Sequence, residues 1–273
     1  MSNTDALKNI AGTIVLAGAG KMGGAMLTGW LAGGLDAGRV VVVEPHPSDE
    51  ITALAAKGVR LNPQGAIAAE TLVVAVKPQT FPEAGPLLKP FVGPSTLVVS
   101  IMAGTTVSAI EKTCGGMVVR AMPNTPAAIG RGITVAVPAR NVSAAQRATA
   151  DALLRAIGSV EWVADEKLMD AVTAVSGSGP AYVFLLAEEL ARAGVEAGLP
   201  AELATRLARE TVSGSGELLH RSDLPAATLR QNVTSPGGTT QAALEVLMAD
   251  DGLKPLMTRA VAAATKRSIE LAK

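Results

Sequence analysis

The sequence is poor in cysteine, histidine and aromatic residues, and each shortage removes a class of function. Its one cysteine, Cys114, has no partner for an intramolecular disulfide, and two histidines are too few for a cluster of zinc ligands. Aromatic residues make up 2% of the chain, too few for a platform on which nucleic-acid bases stack. We therefore expect a protein of the reducing cytoplasm with no metal site.

The same shortages argue against a catalytic nucleophile. Neither His46 nor His220 lies in a motif that would suit a Ser-His-Asp hydrolase. Cys114 falls at the end of a predicted helix with no histidine near it in the sequence. A small, semi-buried packing residue is therefore the better interpretation of this cysteine.

An excess of charge of either sign is also missing. The 24 lysine and arginine residues balance 24 aspartate and glutamate residues, so binding to nucleic acid or to an anionic membrane is not expected. The polar start of the chain, 1–10, does not read as a signal peptide. The longest uncharged stretch, 90–110, is broken by proline and glycine and does not predict a membrane span.

What the first half of the 273 residues does contain is a regular alternation of apolar, β-branched runs with alanine-rich helical stretches. Strands that are apolar throughout and separated by helices indicate a parallel sheet covered on both faces. Strands are predicted at 13–17, 40–43, 71–76, 96–101 and 117–121, with edge strands at 132–137 and 160–163. This pattern predicts an α/β, Rossmann-like domain with a mostly parallel sheet over residues 1–166.

Only helical patterns follow residue 166. Helices are predicted at 182–197, 201–219, 225–231, 240–248 and 253–271. This predicts an all-helical domain over residues 167–273. Because its helices have broad apolar faces and many small residues, we expect close packing between chains, with a symmetric homodimer as the default.

A glycine-rich motif joins the first strand to the first helix of the sheet domain. Gly18-Ala19-Gly20-Lys21-Met22-Gly23 matches G-x-G-x-x-G, in which the first glycine allows a tight turn and the second lets a pyrophosphate approach the backbone. The third glycine lets the helix pack closely on the strand, and the helix N-terminus attracts phosphate. Glu44 follows the second strand at the spacing of a ribose-binding carboxylate. Together these features predict a dinucleotide site.

Glu44 leaves the choice between NADH and NADPH open. A carboxylate at this position would hydrogen-bond a ribose 2′-hydroxyl and repel a 2′-phosphate. However, the irregular segment Pro45-His46-Pro47-Ser48 could rotate Glu44 away and bring His46 and Ser48 to a phosphate. A solvated loop carboxylate is the third interpretation.

Two further strand ends reach the same edge of the predicted sheet. Ala75-Val76-Lys77-Pro78 ends one strand, and Lys77 there would lie beside a cofactor or simply face solvent. Asn124 lies between two prolines after another strand. Its amide could contact a nicotinamide carboxamide or form a local Asx turn.

A second anion site is predicted in the helical half. The segment 232–240, Asn-Val-Thr-Ser-Pro-Gly-Gly-Thr-Thr, precedes a helix and offers free backbone N–H groups and hydroxyls, which suit a small carboxylate. An ordinary Ser/Thr helix cap is the alternative interpretation. Ser178, in a Gly-Ser-Gly turn, lies between helices rather than after a strand, so a tight helix junction is favoured over a nucleophile elbow.

These motifs together resemble the pyrroline-5-carboxylate reductase family over nearly the whole chain. The resemblance is carried by 18–23, 75–78, 122–126, 175–182 and above all 232–244, which is similar to the C-terminal signature of that family. It implies NAD(P)H-dependent reduction of 1-pyrroline-5-carboxylate to L-proline, the last step of proline biosynthesis. It also implies a Rossmann domain and a helical domain that interlocks with a partner chain, often as dimers assembled into a decamer.

The resemblance also assigns site residues by position. Gly18–Gly23, Asn62, Ala75–Pro78, Ala103 and Asn124 would face the cofactor, and Asn232 would approach it from the partner subunit. Substrate would be held by the following residues: Ser235, Gly238, Thr239 and Thr240, with Glu166 nearby. We hypothesise that the Thr240 hydroxyl hydrogen-bonds the ring nitrogen. Glu44 departs from the small hydroxyl residue expected of NADPH-preferring members.

Two other functions are compatible with a dinucleotide domain followed by helices. One is a β-hydroxyacid dehydrogenase or imine reductase, which usually places a lysine or aspartate on the long helix between the domains. The stretch 182–197 carries no lysine, which counts against the hydroxyacid reading. The other is a non-catalytic dinucleotide sensor, which would have no use for the segment 235–240.

Overall fold

The computed structural model describes residues 3–65 and 67–271. They form two compact units, one holding the residues up to Gly177 and those from Thr265 onwards, the other Ser178–Ala264. The first unit contains a mostly parallel sheet with helices and the second is helical, which confirms the predicted fold class. The boundary between the two predicted domains, at residue 166, stays a prediction.

One eight-stranded sheet, in the order β3-β2-β1-β4-β5-β6-β7-β8, organises the first unit. The strands are β1 (Ile14–Ala17), β2 (Val40–Val43), β3 (Arg60–Leu61), β4 (Ala69–Val74), β5 (Val92–Ser100), β6 (Met117–Met122), β7 (Gly132–Pro138) and β8 (Gly158–Trp162). From β3 to β6 every pairing is parallel. The carboxyl ends of these six strands therefore meet at one edge.

Helices cover both faces of this sheet. They are α1 (Asn3–Lys8), α2 (Lys21–Ala32), α3 (Asp49–Ala53), α4 (Phe81–Leu88), α5 (Val107–Cys114) and α6 (Ala144–Arg155), and the short helix α7 (Met169–Val172) follows β8 in the chain. Successive strand residues alternate between two buried clusters: Ile14 packs with α2 and α6 residues, whereas Val15 packs with α4 and α5 residues. Burial on both faces explains why the strands read as continuous apolar runs.

Strand β7 differs from its prediction as an edge strand. It lies inside the sheet, antiparallel to β6 and parallel to β8. The connection from β6 to β7, residues 123–131, holds only a short 3₁₀ helix, Thr125–Ile129. Because a parallel crossover needs about a dozen residues or more, so short a connection makes the chain reverse direction.

The second unit contains α8 (Gly179–Glu196), α9 (Ala201–Arg221), α10 (Ala226–Asn232), α11 (Thr239–Leu247) and most of α12 (Leu253–Leu271). Helices α8 and α9 pack closely at Gly194, where an added Cβ would lie 3.2 Å from the Cβ of Ala204. Within the residues described, none of the helices combines the length and apolar character that a membrane span needs.

Candidate functional site

The turn between β1 and α2 depends on Gly18. Its φ of +90° is in the left-handed region that favours glycine, and an added Cβ would lie 2.7 Å from the carbonyl oxygen of Ala75. The Gly18 N–H donates to the carbonyl oxygen of Val43 at 2.9 Å. Gly18 thus connects the carboxyl ends of three neighbouring strands, β2, β1 and β4.

The other two glycines of the motif have opposite surroundings. A Cβ on Gly23 would collide with the Gly18 carbonyl oxygen, so the close packing of helix α2 against the turn requires glycine at this position. A Cβ on Gly20 would meet nothing within 4 Å. The backbone at Gly20 is therefore open to a ligand, which fits the pyrophosphate of a dinucleotide.

Helix α2 begins without a side-chain cap. Its N-cap is Gly20, whereas Ser48, Thr106 and Ser143 cap α3, α5 and α6 through their hydroxyl oxygens. The first N–H groups of α2 are not occupied by a capping side chain and, with the helix dipole, can bind an anion.

Glu44 points at this glycine loop. Its Oε2 accepts a hydrogen bond from the Ala19 N–H at 2.8 Å, and its Oε1 accepts one from the His46 N–H at 3.0 Å. The segment after β2 therefore does not rotate the carboxylate away. Ser48, the other candidate phosphate contact, uses its hydroxyl oxygen to cap α3.

Asn62 contacts the main chain of Glu44 with both ends of its amide. Its Oδ1 accepts from the Glu44 N–H and its Nδ2 donates to the Glu44 carbonyl oxygen, each at 2.9 Å. The residue has a φ of 45°, a left-handed conformation that asparagine tolerates better than most residues. A cofactor contact by Asn62 stays a prediction.

The turn after β4 lies against the glycine loop. The Ala75 N–H donates to the carbonyl oxygen of Ala17 at 2.7 Å. Lys77 is exposed, and its carbonyl oxygen accepts from both the N–H and the hydroxyl of Thr80. Pro78 begins the 3₁₀ helix Pro78–Thr80. Ala75–Pro78 and Gly18 are thus neighbours at the carboxyl edge of the sheet.

The ends of β5 and β6 bring Ala103 and Asn124 to the same edge. Asn124 is buried, and its Oδ1 accepts a hydrogen bond from the Ile133 N–H at 2.9 Å. That partner lies at the start of β7, so the side chain does not form the local Asx turn considered above. The amide nitrogen is the end of this side chain suited to a ligand carbonyl.

Glu166 takes part in an ion pair that the sequence did not predict. Its Oε1 accepts hydrogen bonds at 2.8 Å from Arg120 Nη1 and from the Val107 N–H. Arg120 on β6 is only 4% exposed. The carboxylate therefore neutralises a buried cation beside the first turn of α5. An arginine within an apolar strand was the signal that could have found this pair.

The helical unit contains the second predicted anion site. Asn232 ends α10, and Gly237 makes the turn towards α11 with a φ of +68°. The Gly237 N–H donates to Oε1 of Gln241 at 2.8 Å. Gln241, which no sequence motif marked as a site residue, thus holds the turn against the first turn of α11.

Helix α11 begins, like α2, at an uncapped glycine. Its N-cap is Gly238 and no side chain accepts from its first N–H groups, so it is not the ordinary Ser/Thr cap considered above. Thr239 and Thr240 open the helix, while Ser235 is exposed just before it. Main-chain N–H groups and hydroxyls are thus available together for a small carboxylate.

Cys114 is not a reactive group in this structure. It is 2% exposed, and burial raises the pKa of its thiol to about 11. The thiol therefore stays protonated near neutral pH, as expected for a packing residue. Among the described residues, no group of three or more His, Cys, Asp or Glu side chains could hold a metal ion.

Comparison with known protein families gives matches to both parts of the chain. A family model described as pyrroline-5-carboxylate reductase dimerisation matches residues 166–271. A model described as NADP oxidoreductase, coenzyme F420-dependent, matches residues 13–104.

Individual relatives match almost the whole chain. The pyrroline-5-carboxylate reductase of Pseudomonas aeruginosa is 39% identical over 95% of this chain and 96% of its own. The structure of a pyrroline-5-carboxylate reductase from Coxiella burnetii superimposes with a TM-score of 0.89 at 35% identity, covering 97% of this chain and 100% of that one. The NADP-bound pyrroline carboxylate reductase of Plasmodium falciparum gives 0.78 at 29% identity, over 97% and 99% of the two chains.

Proposed function

The chain belongs to the pyrroline-5-carboxylate reductase family, and from this membership we infer that it is an NAD(P)H-dependent oxidoreductase acting on a C=N bond. Its reaction is the reduction of 1-pyrroline-5-carboxylate to L-proline, which is the final step of proline biosynthesis. The observation that carries this assignment is the combination of family membership with two glycine-capped helix starts, one suited to phosphate and one to carboxylate.

The first unit supplies the residues that fit the dinucleotide. We propose that the loop 18–23 and the first turn of α2 bind the pyrophosphate, because Gly20 leaves the backbone open there. Ala75–Pro78, Ala103 and Asn124 would line the nicotinamide half, with the Asn124 amide nitrogen donating to the carboxamide. Asn232 would approach from the partner subunit. When bound, the reduced dinucleotide supplies the hydride.

The helical unit supplies the residues that fit the substrate. We propose that Ser235, Gly238 and the first N–H groups of α11 hold the carboxylate, which needs no lysine or arginine because the N–H groups and the helix dipole provide the attraction. Thr239 would contribute to the same contacts and Glu166 would lie nearby. Thr240 would hydrogen-bond the ring nitrogen, and its side chain is half-buried at the start of the helix.

This chemistry explains why the chain needs no catalytic histidine. A cyclic imine becomes a good electrophile once its ring nitrogen carries a proton, and one hydride to the imine carbon then completes the conversion to proline without an oxyanion to stabilise. The chain has mainly to align the imine carbon and to exclude water. Such orientation contributes about 7–11 kcal/mol in favourable systems. Thr240 would hold the iminium N–H in the required direction.

We propose that the active form is a homodimer, with dimers assembling further into a decamer. Support comes from the dimerisation model that matches residues 166–271 and from the burial of the helical unit. Within Ser178–Ala264, the described residues that reach full burial are Ala204 and Ala208, while Phe184 stays 66% exposed. Two alanines cannot supply a core for helices of this length, so a second copy would cover the remaining apolar surface.

Location and partners follow from the same reasoning. We propose a cytoplasmic enzyme whose partners are its small-molecule substrate and further copies of itself, with no nucleic acid. The single buried cysteine suits a reducing compartment, and the equal numbers of basic and acidic residues give no attraction for polyanions.

The experiment that tests the activity follows the oxidation of NADH and of NADPH in parallel, with 1-pyrroline-5-carboxylate as the acceptor. We expect oxidation that depends on the imine and yields proline. A β-hydroxyacid dehydrogenase would instead reduce the dinucleotide when given a hydroxy acid, and a sensor would bind NAD(P)H without oxidising it. Either of those two results would contradict the proposal.

A further inference from the structure

We propose that this chain selects NADH over NADPH, with the Glu44 carboxylate as the group that discriminates and Asn62 as the residue that positions it. The inference rests on the proposed function, because it concerns the dinucleotide that the reductase would bind. It goes further by naming which of the two dinucleotides the site accepts and which residues make the choice.

The Glu44 carboxylate lies beside the glycine loop. One of its oxygens accepts from the Ala19 N–H, inside the loop predicted to hold the pyrophosphate, at 2.8 Å. In dinucleotide-binding folds the adenosine ribose lies between this loop and the end of the second strand. A carboxylate held there accepts hydrogen bonds from the ribose hydroxyl groups and places a negative charge where a 2′-phosphate would lie.

The segment that contains Glu44 is negatively charged. Residues 44–50, Glu-Pro-His-Pro-Ser-Asp-Glu, contain three carboxylates and neither lysine nor arginine. In the part of the chain that the structure describes, no ion pair neutralises Glu44. A 2′-phosphate carries between one and two negative charges near neutral pH, so it would approach uncompensated carboxylates. Selection against NADPH is thus electrostatic.

Hydrogen bonds hold both the side chain and the main chain of Glu44 in place. Its side chain bridges the N–H groups of Ala19 and His46, while its main chain is held at both N–H and carbonyl by the Asn62 amide. A glutamate fixed at four points cannot swing aside to admit a phosphate without losing these hydrogen bonds. Asn62 therefore acts on specificity through Glu44.

The test measures dissociation constants of NADH and NADPH separately, by the fluorescence of the reduced nicotinamide, for the full-length protein without substrate. We expect the parent protein to bind NADH at least about tenfold more tightly than NADPH. Glu44→Gln should reduce this ratio about tenfold, with NADPH gaining affinity, because the amide removes the charge but keeps an acceptor. Glu161→Gln provides the matched control, since it removes an equal charge from β8.

The distance between the two positions makes that control informative. Strand β8 is six strand positions from β2 in the sheet, about 29 Å at the usual spacing, which is well beyond the screening length at physiological ionic strength. Glu161→Gln should therefore leave the ratio of the two dissociation constants unchanged. A change as large as that of Glu44→Gln would show that overall charge sets the preference, and would overturn the proposal.

Asn62→Gly tests the positioning role. Glycine removes both hydrogen bonds to Glu44 without penalising the left-handed backbone. We expect the ratio of the NADH and NADPH dissociation constants to move towards one, whereas a purely structural role would change the thermal midpoint alone. A variant that keeps the parent ratio would overturn the role assigned to Asn62.

Three outcomes for the parent protein separate this inference from the proposed function. Tighter binding of NADH supports the inference. Equal or tighter binding of NADPH, with reduction of the imine retained, overturns the inference and leaves the reductase assignment intact. Failure to bind either dinucleotide overturns both.

Discussion

Gly18 and Gly20 lie in the same loop, but glycine is favoured at the two positions for different physical reasons. Gly18 is required by its backbone conformation and by the carbonyl oxygen of Ala75, whereas Gly20 has open space around it. We therefore expect the first glycine to be needed for folding and the second for binding. Substitution by alanine at each position separates the two requirements.

We expect Gly18→Ala to lower the free energy of unfolding by at least about 2 kcal/mol, because a left-handed backbone and a contact at 2.7 Å both oppose a methyl group. Gly20→Ala should lower it by less than about 1 kcal/mol yet weaken NAD(P)H binding about tenfold. Denaturant unfolding and fluorescence titration measure the two quantities. Equal loss of stability in the two variants would contradict this division.

In the proposed reaction, Thr240 is the residue on which we expect the chemistry to depend most closely. We expect Thr240→Ala to lower kcat about tenfold to a hundredfold, the range for loss of a hydrogen bond to a charged group. Thr240→Ser, which keeps the hydroxyl, should recover most of the rate. Thr258→Ala is the matched control, since that hydroxyl bonds only within its own helix, to the Lys254 carbonyl. A Thr240→Ala enzyme with unchanged kcat and KM would remove the proposed role.

At the scale of the elements, most of the fold could be predicted because the apolar pattern of the strands was strong. A sheet buried on both faces needs continuous apolar strands. All seven predicted strands are present with bounds that overlap those expected, and five of them lie in the parallel region. Strand β3 was not predicted, because two residues, Arg60–Leu61, carry no periodicity. The prediction of β7 as an edge strand was wrong, because a strand's apolar pattern does not encode its position in the sheet.

The glycine loop and the start of α11 could also be predicted from the sequence, since each follows from local backbone chemistry. Contacts between distant segments could not be predicted. Asn62 and Glu44 meet only because β3 lies beside β2, and Arg120 and Glu166 meet only when the sheet has formed. Such pairs need the tertiary structure, and a single sequence contains no direct record of it.

The Arg120–Glu166 pair connects β6, the start of α5 and the 3₁₀ helix Glu166–Leu168. We expect Glu166→Ala to lower the free energy of unfolding by about 2–3 kcal/mol, the range for losing a hydrogen bond to a charged group, because it leaves a buried guanidinium without its partner. Glu166→Gln should lose less, since its amide oxygen still accepts hydrogen bonds. Thermal and denaturant unfolding measure this effect.

The same two variants test the prediction that Glu166 binds substrate. A rise in KM for the imine in Glu166→Gln, with stability nearly retained, would support substrate binding. An alanine variant as stable as the parent protein would contradict the structural role.

At the scale of the whole molecule, the exposed apolar helices predict that a single chain is not the stable species. Light scattering after size-exclusion chromatography should give at least twice the chain mass of 27.6 kDa. Phe184→Arg, on the apolar face of α8, should shift the protein towards monomer and lower its thermal midpoint. Leu87→Arg, at a position 74% exposed on α4, is the matched control and should do neither. A monomeric parent protein would contradict the proposed assembly.

The proposed reaction requires that hydride pass directly from the nicotinamide to the imine carbon of the substrate. The most direct test uses NADH deuterated at the transferred position of the nicotinamide ring and examines the product by mass spectrometry and NMR. The account predicts proline that carries one deuterium on the ring carbon that belonged to the C=N bond. Proline without deuterium, or no proline at all with the reduced dinucleotide bound, would contradict it.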